Sequence, residues 1–216
     1  FDNITKVAGM NVLGLETGAT WQYRVDTGAW QPGVGNSFQL ISGQHTYYAY
    51  QTDALGHVST HGSLTATLDT VAPSVPVVTL GIDIADGATL EEATAFTGVV
   101  TVTAESGVNV NVTFSCGTNS LTKMVTAAGS ASVPVVLSGD EVAVLGQGLV
   151  SVTATAIDLA GNSSAPSSSL TFNLDTLPPT APVIALGAGV ANGATAPEAM
   201  QSSGVVTVLA ESGALV

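Results

Sequence analysis

The stretch Val108 to Ser115, VNVNVTFS, decides the fold of this 216-residue chain. Apolar side chains alternate in it with Asn, Thr and Ser, which is the period-two pattern of a β-strand that has one buried and one solvated face. The same alternation returns in Val150 to Ile157 and in Leu170 to Leu174. Turn residues separate these runs, as in Gly117 to Asn119 and Asp158 to Asn162. We therefore predict an all-β fold built of antiparallel sandwiches.

The chain repeats itself with a period of about 106 residues. Gly81 to Gly107 returns as Gly187 to Gly213, and the phrase Ala104-Glu105-Ser106-Gly107 within it returns as Ala210-Glu211-Ser212-Gly213. A period of this length matches one small domain. We predict three domains in tandem: residues 1–71, which lack the opening strand, residues 72–177, which are complete, and residues 178–216, which form the N-terminal part of a third.

Proline marks the domain boundaries. Leu68-Asp69-Thr70-Val71-Ala72-Pro73 has its counterpart in Leu174-Asp175-Thr176-Leu177-Pro178. Linkers this short, stiffened by proline, restrict bending between the domains that they join. Neighbouring domains of the same chain should therefore touch and are the first predicted partners.

Composition argues against several classes of partner. Asp and Glu number 16 against three Lys and Arg, for a formal net charge of −13, so nucleic acid and anionic membrane are poor partners. No apolar run is long enough to insert into a membrane. The single cysteine, Cys116, allows no disulfide within a domain.

No pattern of catalytic residues is present in the sequence. The three histidines, His45, His57 and His61, all fall in the first domain, and no serine stands in a Gly-x-Ser-x-Gly elbow. The glycine-rich segments lack the lysine of a phosphate-binding loop. We predict that the chain is not an enzyme, and its few His and Cys residues make a transition-metal site unexpected.

Three recurring phrases resemble the tandem bacterial Ig-like domains of giant repetitive adhesins. They are the Ala104 to Gly107 turn, the Asp158 to Asn162 turn and the Leu-Asp-Thr-x-x-Pro joints, and His57 stands where the pattern usually has Asn. Such adhesins are biofilm-associated surface proteins exported by type I secretion. The resemblance implies Ig-like sandwiches, an extracellular location at the bacterial cell surface, and a role as an extender that supports cell adhesion and biofilm formation.

The positions of the scarce carboxylates predict calcium at the joints between domains. In an Ig-like sandwich, Glu105 and Asp158 would lie in turns at the end where the chain enters, and the linker residue Asp69 arrives at that same end. The preceding domain would add Asp2 and Asn3. Like charges at one joint repel unless a cation lies between them, and Ca²⁺ takes about six to eight oxygen ligands in irregular geometry.

The second joint repeats this predicted ligand set. Asp175 comes from the linker, Glu211 from the third domain, and Glu91 or Glu92 from the middle domain. The competing interpretation is that all these acids cap turns or solvate an acidic surface.

Two other functions stay open on the sequence. Both tryptophans and all four tyrosines lie between Trp21 and Tyr50, and an exposed Trp30, Tyr48 and Tyr50 could stack on sugar rings. The first domain would then bind a glycan or a protein of the host or the biofilm matrix. The competing interpretation is an aromatic core with incidental surface tyrosines. The third possibility is a set of accessory domains in a secreted hydrolase.

Overall fold

β-strands make up most of the regular structure in the computed structural model, which describes residues 2–187, 190–202 and 204–212. The chain divides into two compact units, Phe1–Asp175 and Thr176–Val216. The first unit holds two hydrophobic cores, one built from residues up to 68 and one from residues 78–174. We call the two halves around these cores the first sandwich and the middle sandwich, and residues from 176 onward the third unit.

Seven strands form the first sandwich. They are β1 (Ile4–Thr5), β2 (Gly9–Asn11), β3 (Thr20–Val25), β4 (Gln31–Pro32), β5 (Ser37–Gln39), β6 (Gly43–Thr52) and β7 (Gly62–Leu68). One sheet has the order β1-β7-β6-β3-β4, and the other consists of β2 and β5. All pairs are antiparallel except β1 with β7, in which Ile4 lies opposite Thr67 and Thr5 opposite Leu68.

An aromatic cluster forms the core of the first sandwich. Trp21 on β3 is only 5% exposed. Its ring nitrogen donates to the carbonyl of Gly35 at 2.7 Å, so this buried polar atom has a hydrogen-bond partner. Phe38 and Tyr47 pack beside it. Trp21 is therefore a core residue of the first sandwich.

The middle sandwich has seven strands and two short helices. They are β8 (Val77–Leu80), α1 (Leu90–Ala93), β9 (Val100–Thr103), β10 (Asn109–Cys116), β11 (Asn119–Thr126), β12 (Val133–Val135), α2 (Gly139–Leu145), β13 (Gly148–Ile157) and β14 (Leu170–Leu174). One sheet has the order β11-β10-β13-β14, and the other has the order β12-β9-β8. The predicted all-β fold of antiparallel sandwiches is confirmed.

The strand that decided the fold lies at the centre of this sandwich. β10 pairs with both β11 and β13, and its side chains Val110, Val112 and Phe114 are fully buried while the alternating Asn, Thr and Ser side chains are half-buried. Burying a side chain of this size stabilises a fold by about 1.5–3 kcal/mol. The period-two pattern therefore identified the core face correctly.

The third unit repeats the opening of the middle sandwich. Its described elements are β15 (Val183–Leu186), α3 (Ala196–Ala199) and β16 (Val206–Leu209). β15 pairs with β16 through Val183 opposite Leu209, and β8 pairs with β9 through Val77 opposite Thr103. The sequence repeat is thus also a repeat of strand register.

Candidate functional site

The linker between the first two sandwiches is fixed at its start by Asp69. The Asp69 amide donates to the carbonyl of Thr5 at 2.9 Å, which extends the pairing of β1 with β7 by one residue. The Asp69 carboxylate accepts from the amide of Val71 at 3.0 Å. Such a contact between an Asp side chain and the amide two residues on fixes a turn, so this carboxylate shapes the linker locally.

The turn from Asp158 to Asn162 faces this linker. Asp158 Oδ1 accepts from the Asn162 amide at 2.8 Å, and Asp158 Oδ2 accepts from Asn162 Nδ2 at 2.9 Å. Gly161 has φ +88°, a conformation that side chains with a Cβ rarely adopt. Desolvation raises the pKa of Asp158, but the hydrogen bonds from Asn162 and from the turn backbone together hold it below its ordinary value.

Two hydrogen bonds cross the joint, one in each direction. Asn162 Nδ2 donates to the backbone carbonyl of Asp69 at 2.9 Å. Lys6 Nζ, at the end of β1, donates to the backbone carbonyl of Gly161. The turn of the middle sandwich is therefore held both by the linker and by a cation from the first sandwich, and the predicted contact between neighbouring domains is confirmed for this pair.

Glu105 ties the linker to the middle sandwich. Its Oε1 accepts from the amide of Ser74 at 2.7 Å. Hydrogen bonds from the Ser74 backbone and side chain hold the pKa of Glu105 below its ordinary value, against an opposing effect of the nearby Asp158 charge. The third unit repeats this anchor, since Glu211 accepts from the amide of Thr180 at 3.1 Å.

Asp2 does not reach the joint. The parallel pairing of β1 with β7 runs toward the linker, so the residues after Thr5 are the ones that arrive there. Asp2 lies before β1, where its carboxylate accepts from the amide of Ile4 at 3.2 Å. Lys6, and not Asp2, therefore contacts the turn of the middle sandwich at the first joint. Lys6 could have been singled out from the sequence because it is one of only three Lys and Arg residues in an acidic chain.

The predicted calcium ligands Glu91, Glu92 and Asp175 lie within the middle sandwich, where Glu92 and the backbone of Asp175 form local hydrogen bonds. Glu92 caps α1, with its Oε2 accepting from the amide and the hydroxyl of Thr89 at 2.9 and 2.8 Å. Glu91 lies in the first turn of the same helix. The Asp175 amide donates to the carbonyl of Ala88 at 3.0 Å, as Asp69 does to Thr5.

The carboxylates of the first joint do not form a calcium cage in the part of the chain that the structure describes. Within those residues, no three Asp, Glu, His or Cys side chains are grouped so that they could hold a metal ion. Glu105 and Asp158 are near enough for their charges to interact, but Asp69 and Asp2 each bind a local amide. Since Ca²⁺ takes about six to eight oxygens, backbone carbonyls and waters would have to supply most of the ligands there. Calcium binding stays a prediction at both joints.

The first sandwich contains a copy of the same turn. Asp53 Oδ1 accepts from the His57 amide at 2.8 Å, and Asp53 Oδ2 lies 2.8 Å from His57 Nδ1. These distances repeat those between Asp158 and Asn162. The imidazole of His57 thus replaces the side-chain amide of Asn162 without a change in the turn.

The surface aromatic residues pack on one another. Arg24 lies between two rings, with its guanidinium carbon 4.9 Å from the Trp30 centroid and 4.7 Å from the Tyr48 centroid. Trp30 also contacts Tyr50 edge-on at 4.7 Å and His61 at 4.9 Å. The glycan-binding alternative requires these three aromatic residues to be exposed, but they are half-buried. Because Arg24 and His61 already cover Trp30, the cluster is not an open platform for sugars.

No helix in the described ranges is long and apolar enough to cross a membrane.

No family profile matches the chain, and no curated protein matches it significantly. Among solved structures, the chain is similar to a tetra-tandem repeat in the extending region of a large adhesion protein, at 20% identity and a TM-score of 0.37, over 88% of this chain and 50% of that one. It is similar to the FN1–FN3 domains of chicken CNTN1 at 8% identity and a TM-score of 0.41, over 81% and 65% of the two chains. It is also similar to the BSP domain of a biofilm-associated protein at 21% identity and a TM-score of 0.30, over 81% and 29%. The chain thus spans half the length of the adhesion-protein repeat, and similarity at these TM-scores does not assign a function.

Proposed function

We propose that this chain is a structural extender segment of a large bacterial surface adhesin, displayed outside the cell. In such a segment, consecutive Ig-like sandwiches hold an adhesive part away from the surface and so support adhesion and biofilm formation. The observation that carries the proposal is the pair of hydrogen bonds across the first joint, from Lys6 to Gly161 and from Asn162 to Asp69. The resemblance of the recurring sequence phrases to adhesin repeats supports the choice of protein class.

An extender must resist bending where its domains meet. At the first joint, hydrogen bonds from the middle sandwich hold the linker at two points. Asn162 holds the start of the linker, and Glu105 holds Ser74 farther along it. Pro73 removes backbone freedom between these anchors, and Pro76 does the same just beyond Ser74. A neutral hydrogen bond contributes about 1 kcal/mol, so several anchors together suffice to keep one orientation dominant.

Calcium at the joints is a separate proposal, and the extender function does not depend on it. In its favour, the charges of Glu105 and Asp158 are near enough to interact, and both carboxylates have lone pairs beyond the hydrogen bonds described. Against it, the Lys6 ammonium already binds the Asp158 to Asn162 turn. We therefore expect the first joint to hold without calcium, and calorimetry at millimolar calcium decides whether an ion binds in addition.

A distance measurement between spin labels tests the extender function. Two cysteines replace Ser63 in the first sandwich and Thr171 in the middle sandwich, and Cys116→Ser removes the native thiol. Pulsed electron paramagnetic resonance should give one narrow distance distribution, which broadens when Lys6→Met and Asn162→Ala are combined. A broad distribution in the parent protein would mean that the joint is a flexible tether, and the proposed function would be wrong.

A further inference from the structure

One row of side chains on the outer face of the larger sheet distinguishes the first sandwich from the middle sandwich. In the middle sandwich, Thr113 of β10 lies opposite Thr122 of β11 on one side and opposite Thr153 of β13 on the other. The hydroxyl oxygens of Thr113 and Thr122 are 3.0 Å apart and form a hydrogen bond. A plain row of threonines therefore suffices to complete this surface of the sheet.

The first sandwich has an arginine at the middle of the corresponding row. Tyr48 and Thr153 correspond, because each lies five residues before the aspartate of the turn that both sandwiches contain, Asp53 in one case and Asp158 in the other. Arg24 of β3 lies opposite Tyr48 of β6. Arg24 therefore takes the middle position of the row.

Trp30 completes the row on the side of β4. Tyr23 and Gln31 lie opposite each other, and moving one residue along each strand brings Trp30 opposite Arg24. The ring centroids of Trp30 and Tyr48 lie 4.9 and 4.7 Å from the guanidinium carbon. Because the middle sandwich is built with threonines in this row, the fold itself does not require an arginine between two aromatic rings.

Arg24 has no anionic partner in the part of the chain that the structure describes. It takes part in none of the ion pairs between described residues, and its Nε is buried without a hydrogen-bond partner among them. The nearest acidic residue in the sequence, Asp26, is bound instead to His45 and to the amide of Thr46. A buried donor without a partner costs free energy. An unpaired arginine is thus an unexpected feature in a chain that has 16 carboxylate side chains.

The sheet surface around Arg24 carries no acidic side chain on its three longest strands. Alternation places Thr, Gln, Tyr, Ser and Arg at the outward positions of β3, β6 and β7, and none of these positions holds Asp or Glu. The chain as a whole has a formal net charge of −13. An anionic group of a partner would therefore meet the positive charge of Arg24 on this surface without a like charge beside it.

The surroundings of Arg24 favour a carboxylate of a protein over a sugar. Rings beside a guanidinium contact its faces and leave its planar edge of N–H donors for hydrogen bonds, and this edge matches the two oxygens of a carboxylate. A sugar ring would need a free aromatic face, but Trp30 is already in contact with Tyr50 and His61. Tryptophan, tyrosine and arginine are also the residue types that dominate binding at protein interfaces.

We propose that Arg24, held between Trp30 and Tyr48, binds a side-chain carboxylate of a partner protein. The ligand is an Asp or Glu residue whose two oxygens accept from the guanidinium edge, and the Thr, Ser and Gln side chains of the same sheet surface surround it. This carboxylate site goes beyond the extender function and does not depend on it, because it needs only the outer face of one sheet.

Random twelve-residue peptides displayed on phage are the probe, and they are selected on the full chain. The affinity of each selected peptide is then measured by calorimetry on the parent chain, on Arg24→Gln and on Lys123→Met. The control Lys123→Met removes a positive charge from the middle sandwich at the position that corresponds to Gln31 of the first.

The proposal predicts a class of peptides that depends on Arg24. These peptides should bind Arg24→Gln about tenfold or more weakly than the parent chain, since a hydrogen bond to a charged group is lost, and they should bind Lys123→Met as they bind the parent. They should share an Asp or Glu, and its replacement by Asn or Gln should cause a loss of similar size. If no selected peptide depends on Arg24, or if the dependent peptides share no carboxylate, the proposal is overturned.

A measurement on the parent chain keeps the test valid if Arg24→Gln destabilises the first sandwich. In NMR, the guanidinium nitrogen signals of Arg24 should shift when a selected peptide with Asp or Glu is added, and they should stay in place with its Asn or Gln version. Polygalacturonate, whose carboxylates belong to sugar rings, is added in a separate titration. Signals that respond to the polysaccharide and to no peptide would mean that the ligand is a sugar acid, and signals that respond to neither would mean that Arg24 binds no carboxylate. Either result overturns the proposal.

Discussion

Asn162 Nδ2 lies 2.9 Å from the backbone carbonyl of Asp69 and donates to it across the joint between two sandwiches. The same amide donates to Asp158 Oδ2 at 2.9 Å. One side chain therefore both closes its own turn and holds the linker of the neighbouring domain. Any movement of the linker away from the turn must break this bond.

Replacing Asn162 by alanine should loosen the first joint. The substitution removes the donor to Asp69 and leaves that carbonyl to water, at a cost of about 1 kcal/mol. Limited proteolysis between Thr70 and Val75 should become several-fold faster, while the middle core stays protected. The control is His57→Ala, which changes the equivalent turn of the first sandwich away from this joint. Equal acceleration in both variants would contradict a specific role of Asn162.

Acid should release the linker from Glu105. Because the folded-state pKa of Glu105 lies below the ordinary value for a glutamate, its stabilising effect is present above that ordinary value and is lost as pH falls through the folded pKa. Exchange of the Ser74 amide should accelerate between about pH 5 and about pH 3 beyond its intrinsic pH dependence. In Glu105→Gln this additional acceleration should disappear, whereas Glu16→Gln in the first sandwich should keep it. The same profile in Glu105→Gln would show that another group controls the linker.

The first sandwich should be more stable in mild acid than in base because of His45. Its Nδ1 lies 2.8 Å from Asp26 Oδ2 and its Nε2 lies 3.0 Å from the carbonyl of Ser42, so both ring nitrogens face acceptors and favour the imidazolium. The hydrogen bond with Asp26 raises the pKa of His45 and lowers that of Asp26.

The direction of this pH dependence follows from linkage. The His45 contribution to stability is fully present below the ordinary pKa of a histidine and is lost as pH rises through the higher folded pKa. The Asp26 contribution to stability is present above the ordinary pKa of an aspartate. The melting temperature followed by tryptophan fluorescence should fall from about pH 5.5 to about pH 8.5, and this fall should be smaller in His45→Gln than in His57→Gln. A fall of equal size in both variants would contradict the assignment.

Arg24 should stabilise the first sandwich through its two ring contacts. A guanidinium over an aromatic face is worth about 0.5–1 kcal/mol at exposed sites, so Arg24→Ala should cost about 1–2 kcal/mol. Both tryptophans, Trp21 and Trp30, lie in the first sandwich, so fluorescence reports its melting alone. Arg24→Lys should restore part of the loss. An unchanged melting temperature in Arg24→Ala would show that the stacking is incidental.

The sequence correctly predicted the strands and turns that are determined by the residues within them. Alternation alone identified the buried Val110, Val112 and Phe114, because β-strand side chains point to opposite faces in turn. The turns that hold Glu105 and Asp158 were also predicted, and the structure places both at the first joint. The recurrence of Glu105 as Glu211 reflects the same contact with a linker amide.

The contact between Lys6 and the middle sandwich could not be predicted from the sequence, because it depends on the strand register between segments that are distant in the chain. Lys6 reaches Gly161 only because β1 lies parallel to β7 and extends toward the linker. A two-residue strand has too little alternation to be recognised. For the same reason the sequence did not show that Asp2 lies before β1, where it binds the amide of Ile4. Lys6 was not predicted at the joint because it has no counterpart in the repeat.

Hydrogen exchange of residues 69–75 and 158–162 in Lys6→Met, with and without a calcium chelator, tests the central claim that direct contacts hold the first joint. The control is Lys123→Met, which removes the same charge from a lysine paired with Glu141 inside the middle sandwich. We predict that Lys6→Met raises exchange in both segments, that Lys123→Met leaves it unchanged, and that the chelator has no effect on the parent chain. Exchange that rises with the chelator and ignores Lys6→Met would contradict the claim and show that a metal ion holds the joint.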